Sequence, residues 1–344
     1  MDDLLDRYAS LVAAYEAARR GAADLDRLAA DAAALAAAAD STWLRVQAGA
    51  LAATARAVAG GETDLEAIVD ARLAPIDEAA IARLEELLPP DGPLVDRLAQ
   101  HDAGSRLPVA ALPSAAERLL NLLRERAEED LDLPSEHRLE LEVERSGAAW
   151  RARLEPGPSR PRLVINARAG WTVDRLVRAI SSLGYPGRHL ARLMRPPSPE
   201  WCPSPETTVE SGLAAVGREI LLADHELAHE LDRIGRAAGI AWNGDRIVAV
   251  RRALDDLAPA YAVAALGAEG GGRDDRLAAL GADRRTAEAL HDPLARATKV
   301  AHAAGPPLVR SWLVPTGQTT GLQRLLSERL VPTMLRAEML DAVS

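Results

Sequence analysis

The stretch DHELAHELDRIG, residues 224 to 235, contains the pattern His225-Glu226-x-x-His229. On a helix, residues four apart share a face, so two imidazoles could bind one Zn²⁺ while the glutamate activates a water molecule. Zinc-dependent peptidases use this arrangement. The motif therefore suggests a zinc site with His225 and His229 as ligands and Glu226 as the general base.

The helix that carries the motif must turn it toward a cleft. The chain from about Thr208 to Gly235 reads as one long helix. At 100° per residue its apolar stripe lies roughly 160° from both histidines, which sit two residues on either side of Leu227. The stripe consists of Leu213, Val216, Ile220, Leu227, Leu231 and Ile234. A hydrolytic site needs a third ligand inside a cleft, so we interpret the motif as part of a solvated, charged face.

The composition predicts closely packed helices. Of the 344 residues, 48% are hydrophobic, but only 3% are aromatic and phenylalanine is absent. A core of small side chains lets helix axes approach one another. The formal net charge of -10 argues against generic binding to nucleic acid or to anionic membranes. The single cysteine, Cys202, excludes an internal disulfide and favours a reducing compartment.

The N-terminal sequence MDDLLDRYAS is acidic and lacks the basic and apolar regions of a signal peptide. The chain also has no run of about 18 apolar residues that could cross a bilayer. We therefore expect a cytoplasmic protein without a membrane partner.

The elements that position the motif are mostly helical. Residues 1 to 135 are rich in Ala and Leu at helical spacing, and residues 172 to 344 are predicted to form further helices around the loops GAEGGGRDD and PTGQTTG. Between residues 137 and 166, HRLELEVE and AWRARLE alternate apolar and polar residues, and PRLVINA is a short apolar run. We predict one mainly α domain, residues 1 to 344, with a small three-stranded antiparallel sheet inserted mid-chain.

The segment SSLGYPGRHLARL, residues 181 to 193, is a second candidate region. It resembles the H-E-x-Y-P-G-H-H motif of a large bacterial family called domain of unknown function 885. The family's other features are matched, in order, by LLPPDGPLVDRLAQ, LELEVERSGAAWRARLE with RLVINA, ESGLAAVGREIL and HDPLARATKVAHAAGPPLVRSWL. The resemblance implies a helical, zinc-peptidase-like fold with a small sheet before the motif. A carboxylate from a later helix, which begins E-G-[IL]-A, would complete the metal site.

Residue by residue, the resemblance implies that this metal site is degenerate. In the H-E-x-Y-P-G-H-H motif, Ser182 replaces the first histidine, Leu183 replaces the catalytic glutamate and Arg188 replaces the next histidine. In the later helix, Ser211 replaces the glutamate. Serine is a poor neutral ligand, leucine cannot accept a proton, and arginine repels a dication. Four such losses together imply that the hydrolytic function is gone.

Several retained or neighbouring residues remain candidates for the old cleft. Tyr185 and His189 match the motif, and Glu210 lies one residue before Ser211, which rotates its side chain by 100° on a helix. His302 lies in the segment that resembles the cleft-lining C-terminal region of the family.

We therefore expect a divergent, catalytically inactive homologue that binds a small anionic ligand or a peptide, or that performs metal-independent chemistry in the old cleft. Arg188 near Ser182 and Ser211 suits a carboxylate or a phosphate, unless Glu210 pairs with Arg188 and leaves only an internal ion pair. No cofactor is favoured, and the oligomeric state is open.

The alternative is an active zinc-dependent peptidase or hydrolase. It would use His225-Glu226-x-x-His229, or a rebuilt site with His189 and Glu210. In either case the cofactor would be zinc, and three protein ligands would have to converge on it.

Overall fold

The computed structural model describes residues 2–19, 24–61, 63–73, 78–148, 150–157, 160–197, 199, 201–266 and 290–342, and residues 275, 277, 280 and 288 singly. The helices of this part of the chain are α1 Asp2–Ala18, α2 Leu25–Ala38, α3 Thr42–Val58, α4 Leu65–Val69, α5 Glu78–Leu87, α6 Leu94–Gly104, α7 Leu112–Asp130, α8 Val173–Leu183, α9 Arg188–Met194, α10 Pro205–Leu221, α11 Asp224–Ala237, α12 Gly244–Asp256, α13 Ala258–Leu266, α14 Pro293–Thr316, α15 Gln318–Ser327 and α16 Pro332–Asp341. None of these helices is both long enough and apolar enough to cross a membrane.

Three strands, β1 Glu140–Glu144, β2 Ala152–Glu155 and β3 Arg162–Asn166, lie between α7 and α8. The prediction of a mainly helical fold with a small sheet in the middle of the chain is confirmed. The predicted loop GAEGGGRDD lies outside the described residues except for its last residue. The predicted loop PTGQTTG is instead helical on both sides of Gly317, whose φ of 86° lets the chain turn directly from α14 into α15.

The sheet is mixed, and the prediction of an antiparallel sheet is wrong. β3 lies in the centre, parallel to β1 and antiparallel to β2. Its sequence RLVIN is the most apolar of the three, and Leu163, Val164 and Ile165 are buried. It therefore takes the position with a neighbour on both sides, while the more highly charged β1 and β2 form the edges. β1 and β2 cannot form a hairpin because β3 lies between them.

The predicted helix from about Thr208 to Gly235 is two helices, α10 and α11. Leu222 and Ala223 separate them, since both have extended backbone conformations. Glu226 then caps the start of α11, where its carboxylate accepts a hydrogen bond from the Ala223 N–H at 3.1 Å. Neither glycine nor proline marks the break, so the apolar periodicity did not reveal it. Positions on α10 and α11 therefore do not share one helical wheel.

Helices α10 and α14 cross in direct backbone contact. A Cβ atom added at Gly305 would lie 2.1 Å from the Thr208 carbonyl oxygen, and one added at Gly212 would lie 2.4 Å from Val309 Cγ2. Neither position has room for a side chain, so the two helices approach as closely as glycine permits. The crossing holds α14 against α10 and thereby determines where His302, one turn before Gly305, can lie.

The main hydrophobic core lies under the sheet and the C-terminal helices and includes Leu119, Leu163 and Leu213. Helices α1 to α3 bury a second cluster, in which the indole N–H of Trp201 donates to the Tyr8 hydroxyl at 2.6 Å. Trp201 comes from the segment just before α10. This contact ties the N-terminal helices to the part of the chain that carries the degenerate motif.

The α10–α14 crossing makes a prediction for Gly305→Ala. In an unobstructed helix this change would stabilise the protein by up to about 1 kcal/mol. Here we expect Tm to fall by about 1–4 °C, since the new Cβ overlaps the Thr208 carbonyl and overpacking costs about 1–3 kcal/mol. The measurement is thermal unfolding followed by circular dichroism.

The matched control is Gly49→Ala in α3, where an added Cβ meets nothing within 4 Å. Its Tm should stay constant or rise. If both variants gained stability equally, the close crossing of α10 and α14 would be wrong.

Candidate functional site

Helix α11 carries the His225-Glu226-x-x-His229 motif on its outer face. Both histidines are exposed, whereas Leu227 and Leu231 are buried on the opposite side. This separation is the one expected from helical periodicity. The two imidazoles therefore point toward solvent rather than into a cleft.

Glu226, the general base of the zinc alternative, has a structural role. One carboxylate oxygen caps Ala223 at the start of α11, and the other accepts a hydrogen bond from Arg126 Nη2 at 2.7 Å. Within the described part of the chain, no three His, Cys, Asp or Glu side chains are grouped so that they could hold a metal ion. A catalytic zinc site needs three protein ligands, and the motif supplies only two.

A cavity of about 260 Å³ lies on the inner side of α11. Residues of α8, α10, α11, α12 and α14 line it, together with Arg188 at the start of α9. Leu227 and Leu231 form part of its wall. The cavity thus lies behind the helix that carries the exposed motif.

The degenerate motif positions converge on this cavity. Leu183 ends α8, Arg188 begins α9, and the rest come from α8, α10 and α14. The residues predicted for the old cleft that line the cavity are Ser182, Leu183, Arg188, Glu210, Ser211 and His302.

Tyr185 and His189 are buried beside the cavity and are not among the residues that line it. The Tyr185 hydroxyl donates to the His137 carbonyl oxygen at 2.6 Å, and His189 Nε2 lies 2.5 Å from the same oxygen. Both side chains are buried. The turn packs tightly against the end of α8, since a Cβ at Gly187 would lie 2.1 Å from the Ser182 carbonyl oxygen.

This arrangement also separates the two members of the rebuilt zinc site. His189 is held by the His137 carbonyl, whereas Glu210 lines the cavity and binds arginine. Glu210 Oε2 accepts from Arg188 Nη2 at 3.2 Å, and its Oε1 lies 3.7 Å from Arg195 Nη1. Arg188 is therefore engaged in the internal ion pair that was the alternative to an anion site at this residue.

The hydroxyl groups of Ser182 and Ser211 can accept hydrogen bonds from a ligand, but their own protons are already donated within the protein. Ser182 Oγ donates to the Arg178 carbonyl oxygen at 2.5 Å, and Ser211 Oγ donates to the Thr207 carbonyl oxygen at 2.7 Å. Each hydroxyl proton is used within its own helix. Toward a ligand these groups offer oxygen lone pairs.

Arg178 is a cavity residue that the sequence reasoning missed. Its side chain is 51% accessible because it projects into the cavity, and its Nη1 lies 3.8 Å from Asp255 Oδ1. Asp255 is already bound by Arg251. Burial within the surrounding protein lowers the pKa of Arg178, and the positive charge of Arg251 lowers it further. Arg178 stands four residues before Ser182, and this spacing on one helix face was the available signal.

His302 faces the same space from α14. No hydrogen bond to its ring is found among the described residues, and the ring is accessible from the cavity. Burial lowers the pKa of His302 to about 4, and three cations, Arg178, Lys299 and Arg188, add to the effect. At neutral pH the ring is therefore uncharged and lies in a region of positive potential.

Comparisons of this chain with protein-family models, with curated proteins and with solved structures find no match. The resemblance to the domain of unknown function 885 family therefore depends on the quoted segments alone. Functional inference must start from the cavity and its charges.

The exposed motif makes the first prediction for this region. Replacing both His225 and His229 by alanine should leave Tm within about 1 °C of the wild type, since surface substitutions change stability by no more than about 0.5 kcal/mol. Glu226→Ala should be destabilising, because it loses the helix cap and the bond to Arg126. Loss of stoichiometric zinc in the double variant, measured by mass spectrometry of the metal content, would establish a zinc site instead.

The second prediction concerns the protonation of His302. An NMR titration, with the His302 signal assigned by its loss in His302→Gln, should give a midpoint near pH 4, as burial and the three cations require. Arg178→Gln should raise this midpoint, because it removes one of the cations, whereas Arg7→Gln on the exposed face of α1 should not.

The sign of the effect on stability follows. The unfolded chain, with an ordinary histidine pKa of about 6.5, takes up the proton first as the pH falls. The wild type should therefore lose stability between about pH 6.5 and pH 4 more steeply than His302→Gln does. If the stability of the two proteins fell equally with pH, and His302 titrated near pH 6.5, the protein would not lower the pKa of His302.

Proposed function

We propose that the protein binds a small organic anion in this cavity and is a divergent, non-hydrolytic relative of the zinc-peptidase-like domain of unknown function 885 family. One observation supports the proposal most. The positions that the motif resemblance assigns to the lost metal site converge on one cavity, although they come from three helices: Ser182, Leu183, Arg188 and Ser211. Such convergence is what a remodelled ancestral cleft would produce.

The charges of the lining favour an anion as the ligand. Four guanidinium groups face three carboxylates, those of Asp174, Glu210 and Asp255. Arg188 pairs with Glu210, Arg251 pairs with Asp255, and Arg218 pairs with Asp224 at 2.9 Å outside the lining. Arg178 is the most loosely paired of the four, with only a long contact to a carboxylate that Arg251 already holds. A guanidinium with this freedom suits a carboxylate or a phosphate.

The chemistry of the lining favours binding over hydrolysis. Leu183 stands where a general base would be needed, and the hydroxyls of Ser182 and Ser211 donate to their own helices. His302, with a pKa of about 4, is a weak base at neutral pH. The carboxylates of Glu210 and Asp255 are engaged by Arg188 and Arg251.

Thermal-shift measurements test the proposal. The ligands are millimolar hexanoate, succinate, citrate, inorganic phosphate and a short peptide, and the proteins are wild type, Arg178→Gln and the control Arg7→Gln. At least one organic anion should raise the Tm of the wild type and of Arg7→Gln but not that of Arg178→Gln, whose fold is checked by circular dichroism. The proposal fails if no anion stabilises the wild type, or if Arg178→Gln responds as the wild type does.

A further inference from the structure

We infer that the ligand of this cavity is a monocarboxylate with an elongated aliphatic body. The inference rests on the proposed anion site and narrows it to one chemical class. Its basis is Arg178, the most loosely paired cation of the lining, together with the apolar side chains of α10, α11 and α12 that share the cavity.

Arg178 has the longest carboxylate contact of the four guanidinium groups in the lining, 3.8 Å to Asp255, so a ligand with one carboxylate suffices to pair it. A phosphate dianion or a tricarboxylate would bring further negative charges into a space where the other arginines are already paired. Asp174, which also lines the cavity and lies 4.0 Å from Arg251, would repel those further charges. The cavity therefore favours a singly charged ligand.

A neutral imidazole, that of His302, lines the same cavity as Arg178. His302 lies close enough to Arg178 for that charge to lower its pKa. As an uncharged imidazole it presents one N–H donor and one acceptor. A carboxylate bound by Arg178 can therefore receive one additional hydrogen bond from His302 without further charge.

Apolar side chains form part of the cavity wall. Leu227 and Leu231 of α11 line it together with Ile247 and Val248, near the start of α12, and with two alanines of α10. Asp255, which contacts Arg178, lies eight residues after Ile247 on the same helix. At about 1.5 Å per residue this places the two ends of the α12 lining about 12 Å apart. Along α12, the apolar residues of the lining are thus separated from the Arg178–Asp255 contact, as the two ends of an extended amphiphile require.

The cavity volume of about 260 Å³ lies slightly below the roughly 300–1,000 Å³ of pockets for drug-sized molecules. A carboxylate with a chain of modest length fits this space. Together, charge, polarity and size favour a short- to medium-chain aliphatic acid.

Isothermal titration calorimetry of the full chain tests this class. The probes are butyrate, hexanoate and octanoate, with 1-hexanol, citrate and inorganic phosphate for comparison. Each added CH₂ should tighten Kd by about fourfold until the chain fills the cavity. Hexanol should bind at least tenfold more weakly than hexanoate, and citrate and phosphate should bind more weakly still.

Ala214→Leu tests the apolar wall separately, because the larger side chain would occupy that end of the cavity. It should abolish the gain from butyrate to octanoate, whereas Ala33→Leu on the exposed face of α2 should keep it. The Tm of both variants is measured to establish that they fold.

The outcomes distinguish this inference from the proposed function. If citrate or phosphate binds in a manner that requires Arg178, and the affinities of butyrate, hexanoate and octanoate do not differ, the ligand is not an aliphatic monocarboxylate. The cavity would then still be an anion site. If hexanol binds as tightly as hexanoate, the inference that the ligand's carboxylate contributes to binding is wrong. No binding by any probe overturns both proposals.

Discussion

The close contact between α10 and α14 is the constraint on which the site depends. Gly305 lies so near α10 that an added Cβ would be 3.2 Å from Ser211 Cβ and 2.1 Å from the Thr208 carbonyl oxygen. Helix α14 thereby brings His302 to the same cavity as Ser211 and Glu210, which lie on α10. Larger residues at the crossing would separate the two helices and widen the space between them.

A competition among ion pairs then sets the electrostatics of the cavity. Glu210 is shared by Arg188 and Arg195, and Asp255 is held mainly by Arg251. Buried charges remain ionised only if an opposite charge neutralises them. In this cavity the arginine–carboxylate pairs provide most of that neutralisation. Arg178 is left with a long contact to Asp255. Its guanidinium is therefore the group that we propose to bind the anion.

Local patterns in the sequence predicted the helical fold, the mid-chain sheet and the outward direction of His225 and His229, because each depends on neighbouring residues. The absence of phenylalanine likewise pointed to close helix contacts. The break at Leu222 escaped prediction because the cap from Glu226 overrides a continuous apolar stripe. The spacing of Arg178 and Ser182 could have placed Arg178 on the same helix face. Its loose pairing and the strand order depend instead on partners distant in sequence, such as Arg251 competing for Asp255 or β3 between β1 and β2, and no local pattern encodes them.

The central claim is that this cavity holds an organic anion through Arg178 where a zinc-peptidase-like protein would hold a metal. A crystal structure of the protein grown with hexanoate, with diffraction recorded on both sides of the zinc absorption edge, tests it most directly. The account predicts a carboxylate within hydrogen-bonding distance of Arg178, an alkyl chain against Leu227 and Ile247, and no anomalous peak in the cavity. A zinc peak beside Glu210 or between His225 and His229, or a cavity containing only water, would contradict it.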